Sequence, residues 1–171
     1  MNPLETDRLV IREFTLADAP FILELLNEPA FIEFIGDRDV RDLASAEKYL
    51  REGPIASYAK HGFGLWCVVR KSDRALLGSS GLLQRDFLPH PDLGFAFLSR
   101  FHGQGYAHEA GVAVLRQARE YLEITTLHAI TAFRNPASVS LLGKLGFDFV
   151  QFFEQPGQTE PSRLFTHTPS A

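Results

Sequence analysis

The order of strand-like and helix-like segments predicts a mixed α+β fold built around a single sheet. Two further observations bound that expectation. The chain has 171 residues, about one domain by the usual ~100 to 200 residues per domain, so one domain over residues 1–171 is expected. Its 45% hydrophobic and 22% charged residues match an average globular chain and not a disordered one. No repeat, low-complexity tract or Gly/Ser linker divides it.

Leu9 to Phe14, apolar at Leu9, Ile11 and Phe14, reads as the first strand. It ends at Thr15, which with Asp18 three residues on has capping-box spacing; Pro20 leaves Asp18 as the alternative cap. The helix that follows presents Phe21, Ile22, Leu25 and Leu26 on one face and stops at Asn27, Glu28 and Pro29. From Ala30 to His61 the pattern breaks: a Phe31, Ile32, Phe34, Ile35 cluster precedes an amphipathic stretch at Leu43, Ala46 and Leu50, interrupted by Gly53 and Pro54. Short helices and turns are expected there. Gly62 to Lys71 and Ala75 to Gln84 form an antiparallel hairpin about Ser72, Asp73 and Arg74, and Leu93 to Leu98 is a further strand.

The clearest helix repeats Ala107, Ala110, Gly111, Val114, Leu115, Ala118, Tyr121 and Leu122 at helical spacing, with Glu109, Arg116, Arg119 and Glu120 facing away. Thr125 to Phe133 is then a strand. Asn135 caps a helix with Pro136 at its first position and Gly146 just past its end. Phe147 to Phe153 and Arg163 to Thr166 are two late strands around a Pro156, Gly157 turn. The order is strand, helices, three strands, helix, strand, helix, two strands: a mixed single sheet.

Asp and Glu number 21 against 17 Lys and Arg, a formal net charge of -4. The broad positive field of nucleic-acid binders is missing, so no nucleic-acid partner is expected. The single cysteine, Cys67, allows no intrachain disulfide and no cysteine-pair zinc site. Charges interrupt the N-terminal segment where a signal peptide needs an apolar run, and no stretch approaches the ~20 apolar residues of a membrane span. A cytoplasmic protein with no membrane partner is expected.

The chemistry concentrates between Asp92 and Glu109, DLGFAFLSRFHGQGYAHE. A strand runs into His102, Gly103, Gln104, Gly105 and Tyr106, and then into the amphipathic helix. Unpaired backbone N–H groups and the positive end of a helix dipole favour a phosphate, and glycine lets the backbone close on it. The other reading is a tight turn that needs glycine for geometry alone. A dinucleotide fingerprint fails, because His108 stands where its third glycine is needed. A nucleotide-triphosphatase loop fails too, since Leu145 follows Gly143 and Lys144. There is no HExxH, calcium-loop or Gly-x-Ser-x-Gly spacing. No Asp, Glu or Cys recurs at ligand spacing around His90, His102 and His108, so no metal is expected.

The run from Asp92 through Ala110, followed by NPASVSLLGKLGF from Asn135 to Phe147, resembles the Gcn5-related N-acetyltransferase (GNAT) family. Within it the likeness is to the ribosomal-protein N-terminal acetyltransferase (Rim-type) branch, and this chain's opening LETDRLVIREFTLADA also resembles the start of that branch. The resemblance implies one mostly antiparallel, twisted sheet of about seven strands flanked by about four helices, and acetyl-CoA as cosubstrate. The family's Gln/Arg-x-x-Gly-x-Gly/Ala motif fits in two registers: Arg100, Gly103, Gly105, or His102, Gly105, Ala107, of which the second keeps GxGYAxEA in step. By resemblance, Phe97 and Leu98 offer backbone groups to the pantetheine arm and thioester carbonyl. The turn of His102, Gly103, Gln104, Gly105, Tyr106, Ala107 and His108 takes the pyrophosphate.

The implied reaction is direct attack of an amine on a thioester, with the oxygen charge met by a backbone N–H of Phe97 or Leu98. No covalent enzyme intermediate is needed, and Cys67, inside the apolar run Leu65 to Val69, reads as core. Asp92 is the candidate base; a solvated strand-end carboxylate is the alternative. Asn135 and Ser138 match the branch's Asn-x-x-Ser, the serine as candidate acid and the asparagine as a contact to cofactor or substrate, while helix capping also accounts for Asn135. Many family members carry a tyrosine acid where this chain has Leu142. Phe31 and Phe34 fall in the segment that borders the family's acceptor cleft, with Trp66 and Phe87 as possible neighbours. The acceptor expected is a peptide or protein N-terminal amine. A small amine (antibiotic, polyamine or amino acid) and a non-catalytic acyl-CoA-binding module are the alternatives, and monomer and homodimer both stay open.

Overall fold

The structure is a computed structural model that describes residues 2–168. Its strands are β1 (Leu4–Glu5), β2 (Leu9–Arg12), β3 (Leu65–Arg70), β4 (Leu76–Leu83), β5 (Asp92–Phe97), β6 (Leu127–Ala132), β7 (Asp148–Phe153) and β8 (Ser162–His167). The helices are α1 (Ala19–Leu26), α2 (Pro29–Phe34), α3 (Leu43–Leu50), α4 (Ala56–His61), α5 (Tyr106–Glu120) and α6 (Pro136–Lys144). All eight strands share one sheet in the order β1-β2-β3-β4-β5-β6-β8-β7. Every neighbouring pair is antiparallel except β5 and β6. The expected mixed, mostly antiparallel sheet is present, with one strand more than expected: β1 is two residues long and too short to show a period.

Two apolar layers enclose the sheet. On one face α5 and α6 bring Ala110, Val114, Ala118, Leu142 and Leu145 onto Leu9, Ile11, Trp66 and Val68. On the other, Phe21, Ile22 and Leu25 of α1, Phe31 of α2 and Ala46 and Leu50 of α3 pack with Phe14, Cys67 and Leu98. Cys67 is fully buried, and burial pushes its thiol up to about 12, so it is core and no nucleophile. Trp66 is likewise core.

Gly53 and Pro54 do not interrupt the second amphipathic stretch as expected. A π-helical turn over Arg51–Ile55 carries α3 directly into α4. The wider turn accommodates a residue that has no N–H to donate and whose ring crowds the preceding turn.

The Thr15–Asp18 pattern forms as a short 3-10 turn ahead of α1. Asp18 accepts from the Thr15 N–H at 2.8 Å and from both terminal nitrogens of Arg12 at 2.8 Å. Burial opposes ionisation of Asp18, but the hydrogen bonds from Arg12 and Thr15 outweigh it and hold its carboxyl below the usual range. A depressed folded-state pKa stabilises the fold above the unfolded value and loses that contribution as pH falls through the folded one. Asp18→Asn is therefore expected to cost about 2 kcal/mol at neutral pH and less in acid. Urea unfolding from pH 7 down to pH 3 checks both the size and the direction.

Candidate active site

The β5–β6 seam opens because its pairing stops early. Their one register pair is Asp92 with His128, fixed by the His128 N–H donating to the Pro91 carbonyl at 2.9 Å. In the antiparallel β4–β5 ladder, bonded residues alternate, and the Leu98 N–H donates to the Leu77 carbonyl at 2.9 Å. Leu98, Ala96, Gly94 and Asp92 thus turn their backbone groups to β4. Phe95 and Phe97 turn theirs toward β6, where no partner strand follows. Of the two expected backbone donors, Leu98 is excluded, since its N–H is spent on β4 and its side chain is buried. The N–H groups of Phe97 and Phe95 point to the open side of the strand.

A cleft of about 950 Å³ passes through this opening. Toward the C-terminal ends of β5 and β6 it meets Phe97, Gly103, Gly105, Tyr106, Ala107 and His108 on one side and Asn135 and Ser138 on the other. Asn135 caps α6, its Oδ1 accepting from the Ser138 N–H at 3.1 Å, and Ser138 is buried. On the sheet face that carries α1 to α3, the cleft is walled by Phe31, Phe34, Tyr49, Arg85 and Asp92. Phe31 and Phe34 therefore border it as expected. Trp66 and Phe87 do not: Phe87 is exposed and packs on Phe153, ring centroids 6.4 Å apart.

The turn ahead of α5 is built on two positive-φ glycines. Gly103 and Gly105 sit at φ +71° and +81°, conformations that cost other residues a Cβ clash. The first bond into α5 is the Glu109 N–H to the Gly105 carbonyl at 3.0 Å. The N–H groups of Tyr106, Ala107 and His108 precede it, without a side-chain cap. They stand at the N-terminus of a helix of 15 residues, where the dipole and free N–H groups favour an anion. Two residues of the turn serve differently from expectation. The His102 Nε2 lies 2.8 Å from the Phe97 carbonyl, so this ring fixes the end of β5 instead of reaching outward. Gln104 turns its side chain back to the Arg100 carbonyl at 3.2 Å and does not line the cleft.

Arg8 and Glu109 brace the turn, and no local pattern in the sequence marks either. The helical period places Glu109 on the face turned away from the apolar stripe. Its carboxylate instead accepts from the Thr6 hydroxyl at 2.6 Å, the Arg8 N–H at 2.9 Å and Arg8 Nε at 2.6 Å. Arg8 also donates to the Gln104 carbonyl at 3.0 Å and lies over the Tyr106 ring, 4.4 Å from its centroid. A bare carboxylate in the first turn would repel a phosphate; pairing with Arg8 removes that objection.

Asp92 is 1% exposed, which rules out the solvated strand end. Burial pushes its carboxyl above the usual range, and Arg85, with Nε at 2.9 and 3.1 Å from the two oxygens, pulls it partly back. Nothing in the sequence spacing marked Arg85, which lies in the loop after β4, or Tyr49, whose hydroxyl burial keeps protonated. A carboxylate of raised basicity faces the cleft on one side of the seam, and the uncapped N–H groups at the start of α5 border it on the other.

Residues 8–148 match the family of the acetyltransferase (GNAT) domain. The chain belongs to the GNAT acetyltransferase family. A relative, the uncharacterized N-acetyltransferase YoaA of Bacillus subtilis, is 25% identical over 147 residues, 84% of this chain and 81% of that protein. The structure is similar to that of an acetyltransferase from Agrobacterium tumefaciens (TM-score 0.83, 22% identity, 99% and 95% of the two chains). It is also similar to RimL, a ribosomal L7/L12 alpha-N-protein acetyltransferase in complex with coenzyme A (TM-score 0.82, 13% identity, 98% of each chain). This chain is thus an N-acetyltransferase enzyme that uses acetyl-CoA, and the free N–H groups at the start of α5 and of Phe95 and Phe97 fit that cosubstrate. Among the described residues no helix is long and apolar enough to cross a membrane.

Proposed function

We propose that this GNAT enzyme acetylates the α-amine of a peptide or protein in the cytoplasm, by direct attack of the amine on the thioester. The observation that carries the reading is the single cleft that joins the α5 cradle, the unpaired N–H groups of Phe95 and Phe97, and buried Asp92. RimL, which shares the fold, acts on a ribosomal protein's α-amine, and this supports the acceptor class.

Acetyl-CoA supplies an acyl carbon already activated for attack. The N–H groups of Tyr106, Ala107 and His108 would hold its pyrophosphate, with Gly103 and Gly105 allowing close approach. The Phe95 and Phe97 N–H groups would meet charge developing on the carbonyl oxygen, where aimed donors act most strongly. Asp92 takes the proton that the ammonium must lose; an α-amine of pKa ~7.7 to 8.0 asks less of it than a lysine near ~10.4. Ser138 gives its proton to the departing thiolate and takes one from the nitrogen of the adduct, so the hydroxyl is restored as the amide forms, and Asn135 orients it through the cap.

One contact favours a small amine instead. Gln158 Nε2 lies 3.7 Å from where a Gly36 side chain would begin, so the two rims of the acceptor end approach each other and limit an acceptor's bulk. An acceptor panel of free and N-blocked peptides, polyamines and amino acids, followed by release of free thiol, tests the choice. Thiol release with free peptides and none with blocked ones is expected; turnover of small amines alone overturns the peptide reading. Ser138→Ala is expected to lower kcat by about 10-fold with acetyl-CoA affinity unchanged, the pattern of an interaction made mainly in the transition state. Single-turnover rates alongside calorimetric titration check it, and unchanged chemistry would leave Ser138 as a helix-start residue.

A further inference from the structure

We infer that His128 and His90 form the route by which Asp92 loses the proton it takes from the acceptor; this rests on the reading of Asp92 as the base. A carboxyl that is 1% exposed turns over only if its proton has a way out. Arg85 occupies both carboxylate oxygens, and a guanidinium accepts no proton. The cleft side is filled by the acceptor while the reaction runs. Across the seam stands His128. Asp92 and His128 are register partners, and register partners carry their side chains on the same face of a sheet.

His128 in turn packs against His90, ring centroids 5.4 Å apart, and His90 is exposed. The three groups therefore lead from a buried carboxyl to solvent. His128 Nδ1 is buried and without a hydrogen-bond partner among the described residues, so it is free to take a proton. His90 from the loop before β5 and the Phe165 backbone from β8 act on this ring, and Asp92 of β5 and Thr166 of β8 are its register partners on either side. Burial first, then His90, hold His128 below the usual histidine range against the Phe165 backbone. The ring is neutral at neutral pH, the form that accepts.

In each turnover an N–H bond of the ammonium breaks as an O–H bond forms on Asp92. That O–H then breaks as an N–H forms on His128, over one water or by a turn of the ring. The imidazolium passes its proton to His90, and His90 to water or buffer. All three groups return to their starting charge, and no other reactant is consumed.

The test compares His128→Gln, His90→Gln and Asp92→Asn with acetyl-CoA and a competent amine. It reads kcat, its solvent deuterium isotope effect and its dependence on buffer concentration. His128→Gln is expected to lower kcat by at least about 10-fold, inside the ~10²- to 10⁴-fold range of acid–base groups. It should also raise the isotope effect, keep acetyl-CoA affinity and recover with added imidazole. His90→Gln, a surface change, should lose less and recover as buffer concentration rises. Wild-type rates and isotope effects in both histidine variants, with Asp92→Asn impaired, overturn the route and leave the base standing. An unimpaired Asp92→Asn overturns the base reading itself. Should His128→Gln fail to fold, His90→Gln decides: no loss at low buffer overturns the route.

Discussion

Gly105→Val is expected to weaken acetyl-CoA binding by at least about 30-fold, the equivalent of ~2 kcal/mol. The residue sits at φ +81°, a conformation that a β-branched side chain resists at a cost of ~1 to 3 kcal/mol. A Cβ there already lies 3.4 Å from Arg8 Nη2, and the valine methyl groups would press further on a guanidinium held at Glu109 and Gln104. The turn relieves both strains by rotating, and that takes the N–H groups of Tyr106, Ala107 and His108 out of aim. Each hydrogen bond to a charged group is worth ~1.5 to 3 kcal/mol, so losing one or two gives the expected range. Gly157 supplies the control, because it has the same φ of +81° with nothing within 4 Å of an added Cβ, in the turn between β7 and β8. Gly157→Val should lose similar stability yet keep its affinity. Calorimetric titration of both variants, folded by circular dichroism, separates a phosphate cradle from a turn that merely tolerates glycine; wild-type affinity in folded Gly105→Val would exclude the cradle.

Local signals made the framework legible in the sequence. Asn135, Pro136 and Gly146 bracket α6 because capping and φ > 0 are properties of single residues, and the 3.6-residue period of α5 survives in its buried face, Ala110, Val114 and Ala118. Long-range pairing was not legible. Glu109 fits the polar face of an amphipathic helix, and only the return of β2 beside α5 brings Thr6 and Arg8 to it. Phe95 gains its importance from a ladder register that stops at Asp92, and no property of phenylalanine announces that. Arg85 lies seven positions before Asp92, across a loop, and no period relates the two. At Pro54 a local rule misled, because a π turn absorbed the proline instead of ending the helix.

Asp92→Asn is expected to lower kcat at neutral pH by ~10²- to 10⁴-fold, the contribution of a positioned base. The substitution keeps the size of the side chain and leaves an acceptor for Arg85, whose side chain is 26% exposed and so still partly solvated; folding should survive. Both the charge and the basicity are removed. Burial raises this carboxyl above the usual range, so wild-type kcat/KM should fall as pH drops through that raised value, where the base becomes protonated. The variant lacks that limb. Its rate should instead climb with pH as the acceptor amine, of pKa ~7.7 to 8.0, loses its proton to solvent before attack, and part of the wild-type rate returns in alkaline buffer. A residue that only attracted the cationic acceptor would behave otherwise: KM would rise, kcat would hold, and the pH profile would keep its shape. A purely structural partner of Arg85 would shift the unfolding midpoint and leave kcat and its pH dependence alone. A full pH profile of kcat and kcat/KM, with urea unfolding of both proteins, assigns Asp92 to one of these roles. Loss of kcat with alkaline recovery is the only pattern of the three that needs a base at this position.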